Sequence, residues 1–169
     1  MRGVLLVAAA LLVAAPATAA PLTMTKSSAV ISDPTNQLLP KAIPGAIMEY
    51  TLKVTNPNGV AAIGLAVSDA IPANTSLYVS TVALGGSPIV FNDGSVAGLG
   101  GSGLTYTFTS LSSTSDSLDF SADNGATWTY VPTADANGCD ARVTNIRVKP
   151  GSSQAAGSNF TIKFRVLIK

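Results

Sequence analysis

Three features of this 169-residue chain predict an all-β fold of antiparallel sheets. The stretch from Pro44 to Pro72 sets a turn dipeptide, an alternating strand, an Asn-Pro-Asn-Gly turn and a second strand in succession. The segment from Phe160 to Lys169 alternates apolar and polar side chains almost to its last residue. No stretch after Ala20 repeats apolar residues at the spacing of three and four that a helix needs.

The first residues read as an export signal. Arg2 supplies a short basic region, Val4 to Ala15 an apolar run, and Ala17-Thr18-Ala19 the small residues of a cleavage site. Processing is expected after Ala19, so that residues 1–19 form a signal peptide and residues 20–169 a single domain. The run is short for a bilayer core of about 30 Å, and no cysteine follows it, so neither a membrane anchor nor a lipoprotein is expected. The mature chain then has no transmembrane segment and acts in the periplasm, at the cell surface or outside the cell.

The whole chain has ten Lys and Arg against nine Asp and Glu, and loss of Arg2 balances them. No basic excess remains to follow a phosphate backbone, so nucleic acid is excluded as a partner. A near-neutral surface rich in Ser, Thr, Gly and Asn makes self-association easier.

The elements follow in order. Residues 22–31 alternate Leu22 and Met24 with Thr23 and Thr25, as a first strand at a sheet edge. Pro34, Pro40, Pro44 and Gly45 make 32–46 a connection. Next, Met48, Tyr50, Leu52 and Val54 face one way, while Glu49, Thr51, Lys53 and Thr55 face the other, one face buried and one wet. After Pro57-Asn58-Gly59, Ile63, Leu65 and Val67 are expected inward, and Leu77 and Val79 begin a further strand. Short strands are also expected at Ile89–Phe91, Thr105–Phe108, around Leu118 and Phe120 with Trp128–Val131 as hairpin partner, and at Ile146–Val148. In the last strand Phe160, Ile162, Phe164, Val166 and Ile168 are expected on one face, opposite Thr161, Lys163, Arg165 and Lys169, with Leu167 the one apolar residue on the outer face. About eight to ten short strands at this spacing suggest an immunoglobulin-like β-sandwich. The run from Gly98 to Gly103 lacks a following Lys and a helix, and reads as a loop, not a phosphate cradle.

The residues Pro44, Gly45, Tyr50, Val54, Asn56, Val67, Asp69, Ile71, Pro72, Tyr78 and Val79 resemble the bacterial conserved-repeat surface domain known as domain of unknown function eleven. The opening Leu22–Lys26 and the segment from Ile146 to Lys169 are similar to the ends of small secreted members. Ala46 departs from the pattern, standing where the family usually has an acidic residue, and the chain carries one copy where the family often runs in tandem. The resemblance implies an immunoglobulin-like sandwich in an exported, often surface-bound protein with no enzyme activity. Physical roles for its markers are local. Pro44-Gly45 sets a turn, Tyr50 offers a hydroxyl to backbone, Asn56 with Pro57-Asn58-Gly59 favours a hairpin or tight reversal, and Asp69 bonds nearby N–H groups ahead of Pro72.

Ser121 to Trp128 matches the S-x-D-x-G-x-T-W pattern called an Asp-box, a structural hairpin loop in sialidase-like propellers. Asp123 is expected to accept loop N–H bonds, Gly125 to take a positive φ, and Trp128 to cover the turn. One copy is not a propeller, and no glycosidase activity follows. Asp135, Asn137 and Asp140 space oxygens around Gly138 as a calcium loop does, but no Glu closes the set. Loop capping is the reading, and no metal or other cofactor is assigned. Cys139, the single cysteine, excludes an internal disulfide and reads as a small packed side chain, the other reading being an intermolecular bridge or a reactive thiol.

Catalytic equipment is sparse. The chain has no His, and Glu49 is its one Glu, so imidazole-based nucleophile couples are absent. Asp116 and Asp119 are the nearest carboxylate pair, without activating context. A non-enzymatic structural or interaction protein is therefore expected, binding copies of itself or envelope components through sheet edges, as in a filament or surface layer. Residues 20–31 are then either the domain's own first strand or a strand given to a neighbour. The alternative is a glycan- or envelope-binding module in which Trp128 and Tyr130 stack on sugars.

Overall fold

The alternation seen in the sequence becomes eleven strands in a computed structural model, which describes residues 20–83, 85–94 and 100–169. The expected signal peptide, and Gly98 and Leu99 of the glycine-rich run, lie outside the described residues. The strands are β1 (Thr23–Ser32), β2 (Ile47–Thr55), β3 (Ala62–Ile63), β4 (Val67–Ala70), β5 (Thr75–Tyr78), β6 (Ile89–Asn92), β7 (Leu118–Ser121), β8 (Cys139–Asp140), β9 (Asn145–Val148), β10 (Ser153–Gln154) and β11 (Asn159–Ile168). The described residues are all-β, without a helix, and every strand pair is antiparallel.

A six-stranded sheet runs β1-β2-β11-β5-β8, with β6 also on β11. One edge of β11 pairs along its length with β2; the other is shared by β6 at Thr161–Phe164 and β5 at Val166–Ile168. A three-stranded sheet runs β4-β9-β7, and β3 pairs with β10. Leu52 and Val54 of β2 and Phe160, Ile162, Phe164 and Val166 of β11 form one buried cluster with Leu118 and Phe120 of β7 and Ile146 and Val148 of β9. Each such side chain contributes about 1.5–3 kcal/mol by leaving water. The two larger sheets thus share a single core.

Several expectations are corrected. β2 and β3 do not form a hairpin: the chain leaves the large sheet at Asn56, and β3 pairs with β10. Ile63 consequently points outward, 81% exposed. Thr105–Phe108 is not a strand; Thr105 forms a lone bridge to Gly151, although Tyr106 and Phe108 still pack on the core. The segment after Trp128 meets β7 through one backbone bond, Tyr130 N–H to the Phe120 carbonyl, and the strand partner of β7 is β9.

Candidate functional site

Two regions gather the singled-out residues: the flank bearing β1 and β4, and the outer face of the small sheet.

On the flank, Gly45 (φ 87°) lets the chain turn so that its N–H donates to the Ile168 carbonyl, and fully buried Ala46 leads directly into β2. Tyr50 stacks on Phe164 with ring centroids 5.4 Å apart. Its hydroxyl meets no backbone group among the described residues; the ring instead lies under the Lys26 ammonium, 4.8 Å from its centroid. Asp69 does not cap its strand either: its carboxylate pairs with Lys26, joining the edge of one sheet to the edge of the other. Pro72 lends its carbonyl to the Thr75 hydroxyl at 2.7 Å. Asn56 is fully buried, with its side-chain N–H groups directed at the carbonyls of Val60, Gln154 and Ala155 and its oxygen accepting from Asn58 N–H. β1 and β4 are both terminal strands, and a cleft of about 280 Å³ lined by Leu22, Met24, Val54 and Val67 opens between them. The cation Lys26, which the sequence alone does not single out, is the link across this flank.

Around the small sheet, Asp123 accepts from the Ser121 hydroxyl and from the N–H and hydroxyl of Thr127, all within 2.8 Å. Gly125 (φ 83°) donates to the Ser121 hydroxyl, and a Cβ on it would stand 3.4 Å from the Trp128 ring. One face of Trp128 is taken by the Arg147 guanidinium at 4.5 Å, itself held by Asp119, which also binds Lys149. Tyr130 donates to Asp140 and lies beneath Arg142. The groove that Trp128 and Tyr130 share with Leu111 leaves about 20 Å³, room for one water and not for a sugar ring.

The remaining candidates are held by loop hydrogen bonds. Asp116 accepts from the N–H groups of Thr109 and Leu118. Asp135 caps Asn137 and Cys139, and Asp140 caps Thr133 and Arg142. No group of three or more His, Cys, Asp or Glu able to hold a metal occurs among the described residues. Cys139 is fully buried in β8, and burial, with Asp135 nearby, pushes its thiol up to about 11, which keeps it protonated. Glu49 feels desolvation upward, but the bonds from Lys163 and Arg165 outweigh it and lower its pKa.

Asp33, in the connection after β1, passes unnoticed in the sequence, although Asp-Pro-Thr is a turn signal. Its carboxylate accepts from the N–H groups of Lys41, Asn36 and Thr35 and from the Thr35 hydroxyl. Those bonds, Lys41 first, hold it down at about 2, and Ser121 with Thr127 hold Asp123 at about 2. Both folded pKa values lie below the unfolded one. The stability they lend is therefore complete above about pH 4 and drains away as pH falls towards about 2. The thermal midpoint is expected to be level from neutrality to mild acid and then to drop. Asp33→Asn with Asp123→Asn should start lower and show a shallower acid slope in the same calorimetric series.

No family model matches the chain, nor does any curated protein or solved structure. No helix among the described residues is long and apolar enough to cross a membrane.

Proposed function

We propose that this chain is an exported, non-enzymatic structural protein that associates with copies of itself through its open sheet edges. The observation that carries the reading is β1, a ten-residue terminal strand with no backbone partner on its outer side among the described residues. An unguarded edge of that length is a template for another chain. Its one guard, the inward-pointing Lys26, is already engaged by Asp69. The near-zero net charge of residues 20–169 removes the repulsion that would keep copies apart.

In this reading residues 1–19 direct export and are removed, and the domain is an immunoglobulin-like sandwich related to the conserved-repeat surface domain. Two antiparallel sheets on one core support the sandwich. The turn at Pro44-Gly45 feeding β2, and Asn56 closing it, support the relationship. The position of β11 inside the large sheet would make the connectivity a variant of that fold. Glycan binding through Trp128 and Tyr130 draws no support from rings covered by arginines beside a groove of about 20 Å³.

Negative-stain microscopy and sedimentation of purified residues 20–169 at rising concentration test the proposal. Ordered filaments or sheets are expected; dispersed monomers throughout would overturn it.

A further inference from the structure

We infer that β1 is an exchangeable strand, which leaves its own β2 and forms the same ladder on the β2 of a second copy of this chain. The inference rests on the self-association reading and names the segment that carries it.

Three observations on β1 support the exchange. The first is what holds the strand. Nine of its ten residues pair with β2, from Thr23 opposite Thr55 to Val30 opposite Met48 in one register and, past a bulge at Ile31, Ser32 opposite Ile47. Yet none of its side chains is buried, and none belongs to the core cluster. Backbone hydrogen bonds hold β1, and a ladder between two copies makes the same bonds. The Lys26 contacts with Tyr50, Phe164 and Asp69 would also be remade on the partner, because all three sit on the body that β1 would leave and join. Leu22, just before β1, rests on the edge of the core and would rest on the same edge of the partner, so exchange removes no buried side chain from the core.

The second observation is the connection. Ser32 and Ile47 are paired neighbours, and a hairpin between them needs about two to five residues. The chain uses the 14 residues 33–46. Extended, they reach about 46 Å at about 3.3 Å per residue, enough to carry β1 to an adjoining molecule. Pro34, Pro40 and Pro44 bias the connection towards open, extended backbone. Its apolar pair Leu38 and Leu39 is 91% and 74% exposed, uncovered by the closed monomer.

The third is a latch. The Asp33 carboxylate gathers Thr35, Asn36 and Lys41 and folds the first part of the connection on itself. Loss of that one side chain loosens the first turn of the hinge, leaving the Asn36 bonds to Leu38 and Leu39, and does so without touching β1, β2 or the core. A strand held by its ladder and the contacts of Lys26, on an overlong hinge whose first turn one carboxylate organises, is arranged for exchange between identical chains.

The test mixes two single-substitution chains, Thr25→Cys and Lys53→Cys, whose exposed positions face each other in the β1–β2 register. The chains are co-refolded at high concentration and treated with a short bismaleimide; native Cys139, buried, serves as the unreactive background. Strand exchange predicts a covalent heterodimer on a denaturing gel, absent when the two folded chains are mixed only at high dilution. Asp33→Ala in both chains should raise its yield several-fold. Equal yields with and without Asp33, or no heterodimer, would overturn the inference. Sedimentation of the unmodified chain separates the two levels. Association without the heterodimer means copies meet by another surface, and the self-association reading stands alone. A monomer at every concentration removes both.

Discussion

Phe164→Ala is expected to lower the unfolding free energy by about 3–5 kcal/mol, the usual range for a buried phenylalanine. Phe164 is fully buried on β11, the strand with most partners, and stacks on Tyr50. Removal of the ring opens a cavity at the centre of the large sheet and strips Tyr50 and Lys26 of the surface they rest on. Cross-strand neighbours on both sides restrict collapse into the hole, so the upper half of the range is expected. Domains of this size hold about 5–15 kcal/mol in total, and the variant should be close to its unfolding threshold. Phe164→Leu keeps most of the volume and should cost about 1–1.5 kcal/mol. Urea unfolding measures both: the midpoint moves and the slope stays, because the surface exposed on unfolding is little changed. A loss below about 1 kcal/mol for the alanine variant would show that β11 is not central to the core.

Asn56→Asp is expected to be as damaging as Asn56→Ala or more so, each costing about 2–4 kcal/mol. Asn56 is fully buried and directs its amide N–H groups at three carbonyls, those of Val60, Gln154 and Ala155. Alanine leaves these acceptors without their donor, and a buried unsatisfied group costs about 1–3 kcal/mol. Aspartate matches the shape but presents a carboxylate to the same carbonyls, adding repulsion and the cost of burying charge. The comparison isolates the amide's donor role. If aspartate were neutral at pH 7, the side chain would be filling space and the network would not hold the end of β2.

How far local reading reaches is clear from single residues. Most of the inward set of β11 was legible because alternation has a period of two and Phe160, Ile162, Phe164 and Val166, all buried, belong to one uninterrupted strand, while Ile168, at its end, is only half-buried. The loop around Asp123 was legible because its partners lie two to four residues away. Ile63 was misread because β3 is only two residues long, so its facing is set by where the chain leaves the sheet and not by the phase of the preceding strand. Asp69 was misread as a local cap because its partner, Lys26, is 43 residues distant. The partners of Asn56 at Gln154 and Ala155 lie 98 and 99 residues away.

By itself the sequence determined the class of structure: antiparallel strands, the two best of them with their buried faces, and a capped loop ahead of Trp128. Propensity, alternation and turn chemistry act over a few residues, and a few residues suffice to state them. Only the tertiary structure decided that β11 lies between β2 and the pair β5 and β6, that Cys139 is sealed in, and that Trp128 is covered by Arg147. It also decided that β1 is an edge strand with no buried side chain, held by its ladder and by Lys26. Strand order and burial depend on which edge is open when distant segments meet, and that is a competition among long-range pairings which no local window contains.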